Sequence, residues 1–569
     1  MPTVAEIMVA AFRRHGVTDV FGQSLPSAFF LAAEKAGIRQ IPYRTENAGG
    51  AMADAFARVS NRIALVGAQN GPAATLLVPP LAEAMKASSP VIAIVQEVPV
   101  SQRGRNAFQE FDHVALFASC TKWVKQLDDP TRINDYVDMA VTIATTGRPG
   151  PVALLVPRDV LLMDVEQTEV IARTSQMGGF PLDRSRPDGA RVVEAAKLLA
   201  EAVSPLIVAG GGVHLSGAVK ALGQLQELSG IPVATTNMGK GAVSETHELS
   251  LGVIGNALGA KAPNYLTRPL VEDADVVLFV GTRTNENGTD AWKLFPRDAT
   301  YIHLDVDGVE IGRNYQAVRL VGDARLGLED IIAELGKIDL TRRDQSRPCA
   351  ASRIALAKTA AAVDVEQLRA NQPSNKLTPQ YVMSILNEHL KADDIAVADA
   401  SYSTLWMSNY LTAKSAGQRF ISPRGLAGLG WGLPMAMGAQ AAFPDKRVVC
   451  ISGDGGYGHV WAEMEAAVRS NQPIVSVLLN NSILGFQKHA ELNSFSEFTT
   501  AIPFSPVDHA AIARAVGAQA SRVTTPAELE TALKAAFSGS QFFLIEVITD
   551  ADSYPAIAAW DSNPPETIR

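Results

Sequence analysis

The stretch over residues 453–481, GDGGYGHVWAEMEAAVRSNQPIVSVLLNN, constrains the fold more than any other part of the chain. An apolar run, RVVCIS at 447–452, leads into the GDGG turn; a helical pattern follows over about 460–470, and a second apolar run ends in Asn480 and Asn481. A strand, turn, helix and strand in this order place two parallel strands side by side. The Gly-rich turn lets backbone N–H groups approach an anion at a helix start. Asp454 and Asn481 then stand at the ends of neighbouring strands. A carboxylate and an amide oxygen so placed are suited to Mg²⁺, with a diphosphate completing the octahedron. GDGG alone is a common turn and a pair of asparagines a common strand end, so the signal lies in the pairing, with 24 residues between Gly455 and Asn480.

The rest of the chain sets the frame. At 569 residues with 47% hydrophobic composition, several buried cores are expected. A net charge of -9, with Lys and Arg scattered rather than massed, argues against a nucleic-acid partner. Three cysteines, Cys120, Cys349 and Cys450, are odd in number and far apart, which suggests neither a disulfide framework nor a metal cluster and fits a reducing cytoplasm. The opening MPTVAEIMVAAFRRHGV interleaves charge with apolar residues and reads as an amphipathic helix rather than a signal peptide or membrane span.

Short apolar runs alternate with helical patterns in three blocks, which predicts an α/β protein of three doubly wound parallel sheets. The first block covers 1–170, with strands expected at 18–22, 62–68, 90–96 and 151–157; a polar linker follows at 177–189. The second covers 190–340, with strands at 205–212, 231–236, 275–281 and 301–307. A partly helical connector over 341–376 leads to the third block, 377–550. The remainder, 551–569, is expected to be an extended tail.

In the first block, RTENAGGAMADAFAR at 44–58 puts Glu46 at a helix start ahead of a small-residue face. Together with 453–481, this resembles the thiamine diphosphate (ThDP) enzymes of the acetolactate synthase, benzaldehyde lyase and 2-hydroxyacyl-CoA lyase superfamily, which usually carry HE where this chain has TE. The resemblance implies that Glu46 hydrogen-bonds N1′ of the aminopyrimidine and promotes the imino tautomer, whose N4′ deprotonates the thiazolium C2. Such a role calls for a carboxyl in a dry pocket, its pKa pushed up by burial. GLAGLGWGLPMAMGAQAAFPDKRVV at 425–449 resembles the segment that bends the cofactor, with Leu429 as the wedge and Ala427 offering its carbonyl to N4′. Ser401, Tyr402 and Ser403 fall where relatives bind diphosphate oxygens, as do Gly453, Gly455 and Gly456, and Ile483 joins Asp454 and Asn481 as a metal position.

The order of blocks is that of the same superfamily: pyrimidine-binding, central and diphosphate-binding domains. AFQE at 107–110 matches a motif whose glutamine, here Gln109, faces substrate across a subunit boundary with Phe108 beside it. This implies at least a homodimer, and a tetramer of two such pairs as the expected assembly. The middle block resembles the domain that holds FAD in acetolactate synthases and pyruvate oxidases or ADP in oxalyl-CoA decarboxylases, through GGGV (210–213), TTNMGKGAV (235–243), GTRTNENGTDAW (281–292) and HLDVD (303–307). Gly211, Gly212, Arg283, Asp305 and Asp323 are its nucleotide candidates. GNALG at 255–259 replaces the family's HG motif, which leaves FAD, ADP and an empty domain open.

The reaction implied is carbon–carbon bond formation or cleavage next to a carbonyl. An acetolactate synthase-like carboligase acting on 2-oxo acids and a 2-hydroxyacyl-CoA lyase releasing formyl-CoA both remain open, as does a flavin-dependent oxidase; intact Glu46, Asp454 and Asn481 argue against a non-catalytic subunit. The helix expected after Asn481, SILGFQKHAELNSF at 482–495, carries Phe486 and Ala490 where acetolactate synthases place a methionine and a tryptophan. Gln487 is a further substrate candidate. Glu491 is a candidate acid or base for a substrate hydroxyl, against the plainer reading of a solvated helix carboxylate. In VFGQSLPSAFF at 20–30, Gln23 and Ser24 stand where benzaldehyde lyase-like enzymes place a substrate-contacting histidine. A CoA substrate would give the tail a lid function, with Arg103, Arg105 or Lys488 as phosphate-binding cations, since the tail's only basic residue is Arg569.

Overall fold

The computed structural model describes residues 1–166, 170, 179–372 and 376–561. It contains three six-stranded sheets, every neighbouring pair of strands parallel. The first is built from β1 (Asp19–Phe21), β2 (Arg39–Ile41), β3 (Ala64–Ala68), β4 (Val91–Glu97), β5 (Trp123–Gln126) and β6 (Val152–Pro157), in the order β2-β1-β3-β4-β6-β5. The central sheet uses β7 (Pro205–Ala209), β8 (Val233–Thr235), β9 (Ser250–Val253), β10 (Val276–Val280), β11 (Thr300–Asp305) and β12 (Ala317–Val321), in the order β12-β11-β10-β7-β8-β9. The third uses β13 (Ile395–Ala398), β14 (Phe420–Ile421), β15 (Val448–Gly453), β16 (Val475–Asn480), β17 (Gln519–Val523) and β18 (Phe543–Ile548), in the order β14-β13-β15-β16-β18-β17. Inner strands such as β3, β7 and β10 are buried along their whole length, as parallel strands covered by helices on both faces must be.

The expected strands are present. Not among them were the edge strands β2, β5, β9 and β12 of the first two sheets, nor β13, β14, β17 and β18 of the third, of which β13 and β18 are inner strands. Edge strands carry polar residues, as in Arg39–Ile41 and Trp123–Gln126, so the apolar run that betrays an inner strand is missing.

The opening helix, Val4–Arg14, is amphipathic and begins in a capping box between Thr3 and Glu6. The connector is more regular than expected: one 30-residue helix, Thr341–Ala370, with Pro348 in its third turn. The helix predicted over about 460–470 is shorter, Glu463–Arg469, and the GDGG turn is itself helical at Asp454–Tyr457. Residues 551–561 correct the expectation of an extended tail. Ala556, Ile557 and Trp560 are buried, Asp561 accepts the Ala260 N–H at 2.9 Å, and the apolar side chains provide the reason for docking. Residues 562–569, and 177–178 of the expected linker, lie outside the described residues.

The helix Glu46–Ser60 of the first sheet packs directly on the helix Gly432–Ala442 of the third. Both are small-residue helices, and their backbones meet. A Cβ on Gly438 would lie 2.0 Å from the Met52 carbonyl oxygen, so only glycine fits there.

Candidate active site

The strand–turn–helix–strand unit forms as its spacing predicts. β15 and β16 pair with Gly453 opposite Leu479, so the residues that follow each strand emerge together. Asp454 is buried, and burial pushes its pKa up to about 6 against the pull of surrounding backbone N–H groups, those of Ser482 and Asn481 included. Asn481 Oδ1 accepts the Ile483 N–H at 3.2 Å, while the other asparagine, Asn480, is structural and donates to Glu546 at 2.7 Å. These residues border a cavity of about 200 Å³. Its walls include Ser401, Tyr402 and Ser403, the turn Gly453, Asp454, Gly455 and Gly456, the wedge candidate Leu429, and Asn481, Ile483, Phe486 and Gln487.

Local backbone geometry explains the turn. A Cβ on Gly456 would sit 2.1 Å from the Asp399 carboxylate, and one on Gly455 2.6 Å from Leu484. Ser401 and Ala427 both take positive φ, +66° and +61°, a conformation that costs a non-glycine residue energy and is typical of functional loops. Asp399, not anticipated from sequence, is fully enclosed and accepts the N–H groups of Ala400, Gly430, Trp431 and Gly432. Burial pushes its pKa up to about 6, with those N–H donors opposing.

Tyr402 lines the cavity, but its hydroxyl is engaged with His489 Nδ1 at 2.8 Å. His489 was also missed; burial pulls its pKa down to about 4, so the ring is neutral near pH 7. Around this pair stand Phe486, Tyr554 and Trp560, an aromatic wall to which the tail contributes two rings. Lys488 is committed to the tail through Asp552 at 2.6 Å, and Arg103 to Asp128 at 2.8 Å.

Glu491 lies on the same helix, Gly485–Phe495, but does not line the cavity. It accepts the Thr499 N–H at 2.7 Å and Gln487 at 3.1 Å, and the Thr499 N–H holds its carboxyl below the usual range. Ala490 is half-buried and packs on the core cluster of the third sheet.

The candidates from the first sheet form a separate group. Glu46 opens its helix half-buried, behind the N-cap Thr45. Glu463, 1% exposed, reaches across from the third sheet and accepts the N–H groups of Arg44 and Thr45; burial pushes its pKa up to about 7. Gln109 has positive φ and packs on Gly71, and its Oε1 is buried without a partner among the described residues. Phe108 is 82% exposed. Gln23 is exposed and donates to the Arg44 carbonyl at 2.7 Å; Ser24 is exposed beside it. None of these residues lines the cavity of the single chain.

The central sheet has its own cleft, at the strand ends where its order reverses between β10 and β7, the usual ligand position in such a sheet. Gly211, Gly212, Arg283, Asp305 and Asp323 all line it. A Cβ on Gly210 would lie 2.3 Å from the Gly281 carbonyl oxygen, which explains the glycine run. Burial pushes the Asp305 pKa up to about 7. Asp323 is already occupied, capping Leu326 N and accepting from Arg184 and Ser216 at 2.8 Å each. Arg283 makes no side-chain hydrogen bond among the described residues. Arg424, missed because it arrives from the third sheet, has an unpartnered Nε and a pKa drawn down to about 10 by burial.

Three parallel sheets, with a buried carboxylate and an amide at the strand ends of the third and a cleft at the switch point of the second, define a thiamine diphosphate-binding class of enzyme. Comparison with known families agrees in order and extent: thiamine pyrophosphate enzyme N-terminal TPP binding domain over residues 2–116, central domain over 192–331 and C-terminal TPP binding domain over 399–547. The chain is 32% identical over 566 residues to a probable acetolactate synthase large subunit of Methanococcus aeolicus, covering 96% of this chain and 92% of the relative. It is 33% identical over 566 residues to the Methanocaldococcus jannaschii counterpart, with coverages of 97% and 93%. With the acetolactate synthase isozyme 2 large subunit of Escherichia coli it shares 30% identity over 556 residues, covering 96% and 95%. The chain belongs to the thiamine pyrophosphate enzyme family, in the acetolactate synthase superfamily.

Proposed function

We propose that this chain is a Mg²⁺-dependent carboligase acting on 2-oxo acids, as its acetolactate synthase relatives are named for. The observation that supports the reading most directly is the donor set beside the cavity. Asp454 is a buried carboxylate flanked by the Asn481 amide and the Ile483 backbone, a hard-oxygen set that suits Mg²⁺ taking further oxygens from a diphosphate. The close approaches at Gly455 and Gly456 keep the turn's backbone at the cavity wall, where N–H groups and the Ser401 and Ser403 hydroxyls can meet phosphate oxygens. The residues therefore fit the cofactor. When bound, ThDP supplies a thiazolium C2 that adds to the substrate carbonyl and stores the electrons released with CO₂.

The chain's own groups divide the remaining work. Asp454, Asn481 and Ile483 hold the metal, and Leu429 and Ala427 hold the ring end. Glu46 keeps and returns a proton at the pyrimidine nitrogen. Gln109 and Phe108, with Gln23 and Ser24, border the substrate, and Phe486 and Gln487 form its far wall, with Ala490 packed on the core behind them. Glu491, outside the cavity and bonded to Thr499 and Gln487, keeps the plainer role of a solvated helix carboxylate. Because Glu46 and Gln109 do not line the single chain's cavity, and Phe108 and Leu426 are left exposed, two copies complete each other's sites. The working unit is a homodimer, paired again as a tetramer. The central cleft takes the diphosphate of FAD or ADP, for which the unpartnered Arg283 and Arg424 are the cationic contacts. No described helix is long and apolar enough to cross a membrane, and a cytoplasmic setting accords with the three free thiols.

Purified protein with ThDP and Mg²⁺ should convert pyruvate to acetolactate and CO₂, read by mass spectrometry. Formyl-CoA released from a 2-hydroxyacyl-CoA, with no acetolactate from pyruvate, would instead establish a lyase. A bound, reducible flavin together with acetate formation would establish an oxidase.

A further inference from the structure

Two buried carboxylates, one from each outer sheet, grip the loop that precedes the helix Gly432–Ala442. At its far end Asp399 accepts the N–H groups of Gly430, Trp431 and Gly432. At its near end Glu83, from the helix Val78–Ala87 of the first sheet and 1% exposed, accepts the Gly425 N–H at 2.8 Å and the Leu426 N–H at 2.5 Å. Only Ala427, Gly428 and Leu429 lie free between the grips. The approach at Glu83 is close: a Cβ on Gly425 would stand 2.8 Å from both its backbone and its carboxylate oxygens.

Glu83 is itself held. Arg58 Nη2 donates to Glu83 Oε1 at 2.7 Å and Arg58 Nε to Asp54 at 2.9 Å, while Arg58 Nη1 donates to the Ser422 carbonyl at 2.9 Å. Arg419 closes the circuit by donating to the Arg58 carbonyl. Asp54, Arg58 and Glu83 are all buried, and a buried charge network of this kind is rigid because each lost partner leaves a desolvated group behind. A carboxylate suits the Glu83 position because three donors converge on two oxygens; an amide would turn one acceptor into a donor facing donors.

The geometry points to Glu83 as a positioning residue for the ring-contacting span 427–429, fixing from the first sheet the conformation of a loop that lines the cavity on the third. This rests on the ThDP reading for what the span contacts. It extends that reading by assigning a role to a residue that lines neither the central cleft nor the cofactor cavity.

The test uses full-length Glu83→Gln and wild-type protein in three measurements. Calorimetry gives the affinity for ThDP with Mg²⁺, amide exchange by mass spectrometry reports on peptides covering 419–430 in the cofactor-free protein, and quenched NMR follows exchange of the C2 proton of bound ThDP into D₂O. The variant should bind ThDP within about threefold of wild type, since the anchor at 453–481 is untouched. Its 422–428 amides should exchange faster while the helix Gly432–Ala442 is unchanged, and C2 exchange should slow by about tenfold or more. Wild-type C2 exchange in a variant with normal affinity overturns the proposal, as does a general fall in stability with no localised change. Wild-type protein that binds no ThDP overturns the cofactor reading instead, and the amide data alone then decide whether Glu83 holds the span. If Glu83→Gln yields no folded protein, Glu83→Asp, which keeps the charge but cannot span both N–H groups, takes its place with the same outcomes.

Discussion

The first and third sheets are wound identically, whereas the middle one is not. With its strands numbered from its own start, each outer sheet runs 2-1-3-4-6-5; the central sheet runs 6-5-4-1-2-3. The helices Glu46–Ser60 and Gly432–Ala442 therefore occupy the same place in their sheets, between the second and third strands, and pack on each other. What differs is the chemistry at the strand ends. The turn after the third strand is QNGP in the first sheet and GDGG in the third, and the segment before the shared helix carries Arg44, Thr45 and Glu46 in one and Ala427 to Leu429 in the other. On the proposed reading, one scaffold supplies the proton-handling acid and its twin the diphosphate anchor, and the two halves of a site need each other.

The sharpest way to break this pairing is at Glu46. Glu46→Gln should lower turnover by about 10²–10⁴-fold while ThDP still binds, because the acid is lost and the anchor kept; full turnover would remove the first sheet from the chemistry. Asp454→Ala should do the converse, weakening calorimetric ThDP–Mg²⁺ affinity by about 100-fold, with Glu46 untouched. Gly438→Ala forces a Cβ against the Met52 carbonyl and should cost about 1–3 kcal/mol in chemical denaturation. An unchanged midpoint would mean that the helices do not meet as closely as described.

Glu463, which links the third sheet to the start of the Glu46 helix, gives the smallest effect. Its folded pKa of about 7 lies above the ordinary 4.5. Below pH 4.5 both folded and unfolded states hold the proton and the contribution is complete. Between pH 4.5 and 7 the unfolded chain loses the proton first, so stability falls as pH rises, by about 1 kcal/mol per unit. Glu463→Gln should flatten that slope in denaturation curves taken across the window.

How much was legible follows from distance along the chain. The anchor could be read because strand, turn, helix and strand are contiguous, and Asp454 and Asn481 lie within one such unit. The helix that Glu46 opens was legible through its small residues. The edge strands β2 and β5 were hidden by their polarity. Asp399, His489, Glu463, Glu83 and Arg424 were hidden for another reason: each looks ordinary in its own segment and acquires meaning only from partners tens to hundreds of residues away. Tyr402 is the instructive mixture: it lines the cavity, but its hydroxyl is turned to a histidine that no local pattern announces.

The contact of Gly438 with Met52 also bears on motion. Shear between packed helices relies on a layer of side chains that can trade rotamers as the helices slide. Here backbone rests against backbone, so that layer is missing along the central seam. Access to the cavity is then left to its periphery, to the helix Gly485–Phe495 and the docked residues 551–561, while the two outer sheets hold still.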